Sequence, residues 1–282
     1  MIIKAPAKIN IGLRILNKRD DGYHSIETIF YPVKLYDRLD VEIAPSDSDI
    51  NSIIIKTEKH TVPISKTNTC FKVIEAFFKN FRIRETYRIN IFLEKYIPIG
   101  GGLGGGSSDA ATVLLALNRL WRLDLPRAEL QALGLGLGAD VPVFVFGRSA
   151  FAQGVGEVLA PWTPSPASYV VLTPPVHVST PAIFAHPGLT RNTPAVTIAA
   201  LLDGYGHNDL EPVACALNPE LVEHLDWLKQ WGDGRMTGSG ACVFAAFSDR
   251  AEAARVFARR PGSMGGFVAD GVDQHPLFGY AD

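Results

Sequence analysis

The chain has 282 residues, which is long for one domain and short for three, so we expect two compact domains that share a cleft. Hydrophobic residues make up 47% of it and charged residues 20%, an ordinary globular composition that argues against extensive disorder. The formal net charge of −2 supplies no basic field of the kind that nucleic-acid binding needs, so we expect no nucleic-acid partner.

A strand is predicted near the N-terminus, where apolar and polar residues alternate from Ala7 to Ile15. Lys8 and Asn10 fall on the same face of this strand, and the pattern indicates that this is the face away from the core. The next elements are predicted in chain order: strands at 26–33 and 39–43, a loop at 45–51, a strand at 52–57, a helix at 70–81 and a strand at 87–93.

A glycine-rich segment at residues 98–109 is predicted to be an irregular loop that leads into a helix beginning near Ser107. Without β-carbons, the N–H groups of the loop can approach an anion closely, and phosphate is the obvious candidate. The helix N-terminus adds unpaired N–H groups and a positive dipole end, and two serine hydroxyls can donate to phosphate or help to place Mg²⁺. The expected anion-binding residues are Pro98, Ile99, Gly100, Gly101, Gly102, Leu103, Gly104, Gly105, Gly106, Ser107 and Ser108.

A flexible linker and two common nucleotide-binding motifs fit the glycine-rich segment less well. A linker rarely leads straight into an amphipathic helix without polar spacing. The segment is not GxxxxGK[ST], and the chain before it shows no clear βαβ unit of the kind that accompanies a dinucleotide fingerprint. The sequence therefore predicts a phosphate loop of another kind.

The rest of the chain again mixes helices and strands, so the predicted fold class is α+β. A proline-rich stretch at 161–167 suggests a division into domains at 1–160 and 161–282. The remaining predictions are a helix at 130–137, a turn at 138–142 that leads into an apolar segment at 143–146, strands at 169–173, after Thr237 and near 267–272, and a helix at 249–259.

Three segments in order resemble the motifs of GHMP kinases, the superfamily of galactose, homoserine, mevalonate and related kinases. They are PAKIN at 6–10, the glycine-rich segment at 98–111, and RMTGSGACVF at 235–244. The similarity spans essentially the whole chain. It implies a two-domain GHMP kinase fold, with a ribosomal-protein-S5-like N-terminal domain that carries the ATP loop and a ferredoxin-like C-terminal domain, and it implies ATP and Mg²⁺ as cofactors.

A narrower resemblance rests on residues 6–10, on DGYH at 21–24 and on GADVP at 138–142. These are similar to the GHMP kinases that phosphorylate the 2-hydroxyl of a cytidine diphosphate derivative of methylerythritol in non-mevalonate isoprenoid biosynthesis. The resemblance implies that Asp140 is the catalytic base and that Lys8 keeps its carboxylate charged and favours the developing alkoxide. The residues alone favour a turn or N-cap aspartate at 140 and a solvated strand lysine at 8.

The same resemblance implies a pocket for the cytidine end of a small-molecule substrate. Asn10, Tyr23 and His24 match positions that contact this end, and Phe30 and Phe184 fall where aromatic residues sandwich the cytosine ring. Stacking supplies ~1 to 3 kcal/mol per base, whereas choosing cytosine over uracil needs donors and acceptors matched to its edge. Without the resemblance, an aromatic residue such as Phe184 is more often part of a core.

Two other functions stay open at this point. Another GHMP kinase, acting on homoserine, a sugar or mevalonate, would keep the glycine loop without a cytosine pocket. A catalytically silent nucleotide sensor would keep the fold without Lys8 and Asp140. The three cysteines are scattered without a CxxC pair, and no segment reaches ~18 apolar residues, so we expect a reduced, cytoplasmic protein with no metal site and no membrane association.

Composition changes along the chain, because Lys229 is the only lysine after Lys95. Uneven drift or a gene joined near the glycine loop could each produce this change. A joined gene should show an abrupt change of codon usage near residue 100, which sequencing of the gene would reveal. Uniform codon usage would reject the join.

Overall fold

The computed structural model describes residues 1–81, 83, 85–197 and 207–282, and strands and helices mix along the whole of this part. The predicted α+β class is therefore confirmed. The strands are β1 (Ile2–Lys18), β2 (His24–Pro45), β3 (Ser52–Thr57), β4 (Tyr87–Glu94), β5 (Ala150–Gln153), β6 (Val158–Pro161), β7 (Ser168–Leu172), β8 (Arg235–Met236), β9 (Val243–Phe247) and β10 (Gly266–Asp270). The helices are α1 (Thr69–Asn80), α2 (Gly105–Leu120), α3 (Arg127–Leu135), α4 (Val141–Phe146), α5 (Thr180–Ala185), α6 (Glu211–Leu217), α7 (Pro219–Lys229), α8 (Arg250–Ala258) and a 3₁₀ helix (Phe278–Tyr280).

The first sheet is built on a long antiparallel hairpin of β1 and β2. The two strands predicted at 26–33 and 39–43 are one strand, β2, and its pairing register with β1 shifts between Pro6 and Ala7. Strand β2 also pairs with β4 and β5, and β3 adds parallel to β4. The sheet thus extends in the order β3, β4, β2, β5, β6, with β1 lying against β2.

The predicted outward face of β1 is buried. Lys8 and Asn10 do share a face, but each is only 3% exposed, so the expectation of a face away from the core is wrong. On this face Lys8 contacts Gly102 and Asp140, which come from distant parts of the chain, and the alternating pattern of one strand could not reveal these contacts. Polar side chains held there must find partners within the protein.

Helix α2 is buried on all sides through most of its length. From Ser108 to Asn118 every residue is buried. The helix therefore lies inside the hydrophobic core that it forms with the first sheet, called here the first core, rather than on its surface. Helices α1, α3 and α4 pack around it. The end of the glycine-rich segment is therefore fixed to a rigid element.

A second sheet, in the order β10, β7, β9, β8, forms the other part of the fold. The first sheet ends with β6 at Pro161 and the second begins with β7 at Ser168. The division predicted after residue 160 lies one residue before the end of β6 and stays a prediction. The chain then returns to the first core, where Leu277 and Ala281 pack with helix α2. None of the helices in the described residues is long and apolar enough to cross a membrane.

His275, in the returning segment, is a buried neutral histidine. The N–H of Leu277 donates to its Nδ1 at 3.0 Å, so the imidazole proton is on Nε2, which lies 3.1 Å from Thr112 Oγ1. Burial, together with the charge of Arg127, lowers the pKa of His275 to about 3. The folded protein therefore keeps this side chain uncharged under mildly acidic conditions.

Acid should destabilise the fold through His275. Above pH 6.5 the residue is neutral in both states; below it, the unfolded chain binds a proton that the folded chain does not. The free energy of unfolding should then fall by ~1.4 kcal/mol per pH unit down to pH 3. His275→Asn cannot titrate at this position. Its free energy of unfolding, measured by urea unfolding at each pH, should therefore fall less steeply with decreasing pH than that of the wild type, by this amount.

The matched control is His60→Asn, since His60 is exposed. It should keep the wild-type pH dependence. Equal slopes for the wild type and His275→Asn between pH 6.5 and 5 would contradict the burial of a neutral imidazole.

Candidate active site

The glycine-rich segment is a loop whose backbone lies against other backbone. Gly100, Gly102 and Gly104 have φ angles of 72°, 73° and 73°, a conformation that strains any residue with a β-carbon. A β-carbon on Gly102 would also overlap the carbonyl oxygen of Thr237. The loop needs glycine at this position for both reasons.

Hydrogen bonds hold the loop between β1 and the third motif. The N–H of Lys8 donates to the carbonyl of Leu103 at 3.0 Å, and the N–H of Cys242 donates to the carbonyl of Gly101 at 3.1 Å. The loop is thus fixed from two sides. Its carbonyls are used in these contacts, which leaves its N–H groups available to an anion.

Helix α2 begins at Gly105, two residues before the predicted start near Ser107. Gly104, in the left-handed conformation, precedes it without a side-chain cap, so no N-cap residue marked the boundary in the sequence. Ser107 lines a cavity at this helix end. Ser108 is fully buried, and its hydroxyl has no hydrogen-bond partner within the described residues.

The cavity has a volume of about 560 Å³, a size common for small-molecule sites. Its wall contains the whole loop from Pro98 to Gly106, together with Asn68 and Lys95, the segment from His177 to Pro181, and Ser239 and Gly240 of the third motif. Both parts of the fold contribute to it. The structure therefore places the predicted anion-binding residues, apart from Ser108, around one cavity.

A buried charge cluster that the sequence did not reveal lies beside this cavity. Lys95 Nζ donates to a carboxylate oxygen of Asp37 and, at 2.7 Å, to Asp109 Oδ2. Asp37 accepts two further hydrogen bonds from the backbone of the segment that leads to the loop, at Tyr96 and Ile97. These residues are far apart in sequence, so no sequence pattern distinguishes them from ordinary surface charges.

The pKa values of Asp109 and Lys95 in this cluster are both raised. Burial raises the pKa of Asp109 to about 7, against the opposing effect of Lys95. Burial lowers the pKa of Lys95, but the carboxylates of Asp109 and Asp37 outweigh this effect and raise it overall. A β-carbon on Gly105 would lie 3.2 Å from Lys95 Nζ, so the cluster is in close contact with the start of helix α2.

Lys8 and Asp140 meet at the edge of the loop. Lys8 Nζ lies 3.4 Å from Asp140 Oδ2 and donates to the carbonyl of Gly102 at 2.8 Å. Asp140 occupies the N-cap position of α4, yet its side chain makes no capping hydrogen bond. Its carboxylate is partly exposed while Lys8 is buried, so a charged pair faces solvent from one side only.

Asn10 is the direct support of Lys8. Its Oδ1 accepts from Lys8 Nζ at 2.5 Å, and its Nδ2 donates to Thr28 Oγ1 at 2.8 Å. The backbone N–H of Asn10 donates to Thr237 Oγ1, which links β1 to the third motif. In this geometry the side chain orients Lys8, so its predicted contact with a cytidine group stays a prediction.

The residues expected around a base divide into two groups. The rings of His24 and Phe184 are adjacent, with centroids 5.0 Å apart, and Tyr23 beside them is 62% exposed. Phe30 is only 2% exposed and lies under Lys8, with Nζ 5.4 Å from the ring centroid. Phe30 cannot offer a ring face to a base in this arrangement, so the expected sandwich of Phe30 and Phe184 does not fit the geometry.

Comparison with known proteins shows the family of the chain. The family model described as GHMP kinases N terminal domain matches residues 68–148, and the one described as GHMP kinases C terminal matches residues 190–263. Together with the loop, the fold and the cavity, these matches define a GHMP kinase. The two-domain GHMP kinase fold predicted from the motifs is confirmed.

Two curated relatives narrow the assignment. The chain is 52% identical to the 4-diphosphocytidyl-2-C-methyl-D-erythritol kinase of Thiobacillus denitrificans, over 98% of this chain and 97% of the relative. It is 48% identical to the kinase of the same name from Nitrosomonas europaea, over 98% of both chains. A crystal structure of 4-(cytidine 5′-diphospho)-2C-methyl-D-erythritol kinase matches with a TM-score of 0.81 and 34% identity, over 96% of this chain and 99% of that one. The chain belongs to the 4-diphosphocytidyl-2-C-methyl-D-erythritol kinase family.

Replacing Gly102 should damage the loop. In Gly102→Ala the methyl group would overlap the Thr237 carbonyl, and the positive φ adds ~1 to 2 kcal/mol of strain. We expect a lower melting temperature and an ATP affinity about tenfold weaker or worse, since the loop must shift. Thermal unfolding and calorimetric titration with ATP would measure the two effects.

Gly106→Ala is the control for stability, because an added β-carbon there meets no atom within 4 Å. Its melting temperature should equal or exceed that of the wild type, as alanine favours a helix. Wild-type melting and ATP affinity in Gly102→Ala would show that the loop does not have this geometry.

Proposed function

We propose that this chain transfers the γ-phosphoryl group of ATP to the 2-hydroxyl of 4-diphosphocytidyl-2-C-methyl-D-erythritol, a reaction of non-mevalonate isoprenoid biosynthesis. The observation that carries the proposal is the Lys8–Asp140 pair at 3.4 Å beside the glycine loop. The names of the relatives support this acceptor over the homoserine, sugar or mevalonate alternatives.

The phosphate end of ATP fits the loop and the N-terminus of α2. The cavity is lined by the loop and by Ser107, and the positive end of the helix dipole favours an anion there. Within the part of the chain that the structure describes, the buried hydroxyl of Ser108 and the buried Oδ1 of Asp109, at the same helix end, have no hydrogen-bond partner. This donor set fits the Mg²⁺ that accompanies ATP, which when bound neutralises phosphate charge.

The transfer needs one proton acceptor and one cation at the acceptor hydroxyl. Asp140 takes the proton of the 2-hydroxyl as the hydroxyl oxygen bonds to the γ-phosphorus of ATP. The bond from this phosphorus to the oxygen that bridges the β- and γ-phosphates breaks, and ADP leaves. Lys8 stabilises the negative charge that develops on the attacking oxygen. General-base catalysis of this kind contributes ~10² to 10⁴ in rate, and positioning of the phosphate supplies most of the rest.

The hairpin of β1 and β2 provides room for an elongated acceptor. Phe30 underlies Lys8, and His24 stands six residues earlier on β2, which corresponds to about 20 Å of strand. One end of the acceptor would lie at Asp140, and its cytosine would lie at His24 and Phe184. Tyr23, exposed next to His24, is available for stacking on the base.

Location and partners belong to the same proposal. A small-molecule substrate pair requires no nucleic acid and no membrane, and the free thiols of Cys70, Cys215 and Cys242 suit a reducing cytoplasm. The expected cytoplasmic location therefore accompanies the proposed reaction.

Replacing Asp140 separates a kinase from a silent nucleotide sensor. Asp140→Asn should lower turnover by ~10² to 10⁴, because the proton acceptor is lost, while ATP affinity stays within a few-fold of the wild type. ADP release would be measured with 4-diphosphocytidyl-2-C-methyl-D-erythritol and, in parallel, with homoserine, galactose and mevalonate.

Asp47→Asn is the control, since Asp47 lies in an exposed loop, and it should retain wild-type turnover. Turnover of the cytidyl acceptor alone would support the proposal. Turnover of another acceptor would sink the substrate assignment, and ATP binding without turnover of any acceptor would favour the sensor.

A further inference from the structure

Arg191 connects the residues at the proposed cytosine end. Its Nε donates to His24 Nε2 at 3.2 Å. Its Nη2 donates to the carbonyls of Phe184 at 2.7 Å and His186 at 3.0 Å, and its Nη1 donates to the carbonyl of Leu189 at 3.0 Å. One planar guanidinium thus holds the imidazole on β2 and the end of helix α5 together.

This contact fixes the protonation state of His24. A guanidinium has donors and no acceptor, so His24 Nε2 must present its lone pair. The proton of a neutral imidazole is then on Nδ1. Burial lowers the pKa of His24, and the charges of Arg191 and Lys18 lower it further, which agrees with a neutral ring.

A fixed Nδ1–H group distinguishes two bases of nearly equal shape. Cytosine has an acceptor at N3, whereas uracil carries a hydrogen there. An N–H donor at Nδ1 can pair with N3 of cytosine. With uracil, the same donor would face the hydrogen on N3. The opposite tautomer of His24 would reverse this preference. Hydrogen-bond mismatches in a buried site give large discrimination, whereas stacking on Phe184 accepts either base.

We propose that Arg191 is a positioning residue that sets the preference for cytosine, by holding His24 as the Nδ1–H tautomer next to Phe184. The proposal rests on the proposed function, because it assumes that the base lies at these two rings. The arginine acts through its neighbours and takes no part in phosphoryl transfer.

The wild-type protein can test the first half of this proposal without any substitution. In ¹⁵N-labelled protein, long-range ¹H–¹⁵N correlations of the imidazoles distinguish the two neutral tautomers from each other and from the imidazolium. The His24 signals are assigned by their loss in His24→Asn. We expect the Nδ1–H tautomer at pH 7; an Nε2–H tautomer or an imidazolium would overturn the proposal.

Binding of cytidine and uridine diphosphates tests the second half. With Mg-ADP present to fill the nucleotide site, calorimetry should show that the wild type binds cytidine diphosphate at least about tenfold more tightly than uridine diphosphate. In Arg191→Met this preference should fall to about threefold or less, with unchanged affinity for Mg-ADP. Retained preference in a folded Arg191→Met protein would overturn the proposal.

Arg260→Met is the matched control. Arg260 also donates to backbone carbonyls, those of Met264 and Phe257, which are not residues of the proposed site. It should keep the full cytosine preference. Loss of preference in both variants would indicate a general structural effect and would count against a specific role of Arg191.

The two proposals fail in different ways. A protein whose preference for cytidine diphosphate is lost in Arg191→Met but which phosphorylates no acceptor would defeat the proposed function and support the role of Arg191. A wild-type protein that phosphorylates the acceptor without preferring cytosine over uracil would overturn the role of Arg191 and leave the kinase assignment intact.

Discussion

The buried ammonium group of Lys8 is the interaction on which the catalytic arrangement depends. It is in contact with Asn10 Oδ1 at 2.5 Å, the Gly102 carbonyl at 2.8 Å and Asp140 Oδ2 at 3.4 Å. A charged group removed from water is costly unless each of its N–H donors has a hydrogen-bond partner, so each partner must come close. Strand β1, the glycine loop and the start of α4 therefore meet at one point. The glycines of the loop permit this approach because their missing β-carbons leave room for backbone contacts.

The same principle operates at the start of helix α2. Lys95 lies between Asp37 and Asp109, all three buried, and Asp37 also accepts hydrogen bonds from the chain just before the loop. A buried charge with good partners fixes geometry more than it adds stability. Two buried lysine side chains thus hold the loop. Lys8 binds the carbonyl of Gly102 in the loop, and Lys95 binds Asp109 in helix α2, which follows the loop.

The acceptor side is assembled from segments that are distant in the chain. His24 comes from the hairpin of the first sheet, while Phe184 and Arg191 come from the second half of the sequence. The contact of Lys8 with Asp140 likewise joins the lysine-rich beginning of the chain to the part where lysine is nearly absent. Whatever the origin of the change in composition, the side chains on either side of it form one site.

Local physics let the sequence by itself determine much of this protein. Strand β3 was predicted at its observed bounds and helix α1 to within one residue, because hydrophobic periodicity depends only on neighbours along the chain. The glycine loop and the motifs indicated the kinase family for a similar reason, since each is a short continuous segment. Tertiary structure alone decided that β2 is one strand, that Phe30 lies in the core, and that Lys95 pairs with Asp37 and Arg191 with His24. Those pairs are 58 and 167 residues apart, and contacts over such distances are fixed by packing and by the cost of leaving a buried charge unpaired, which no local pattern records.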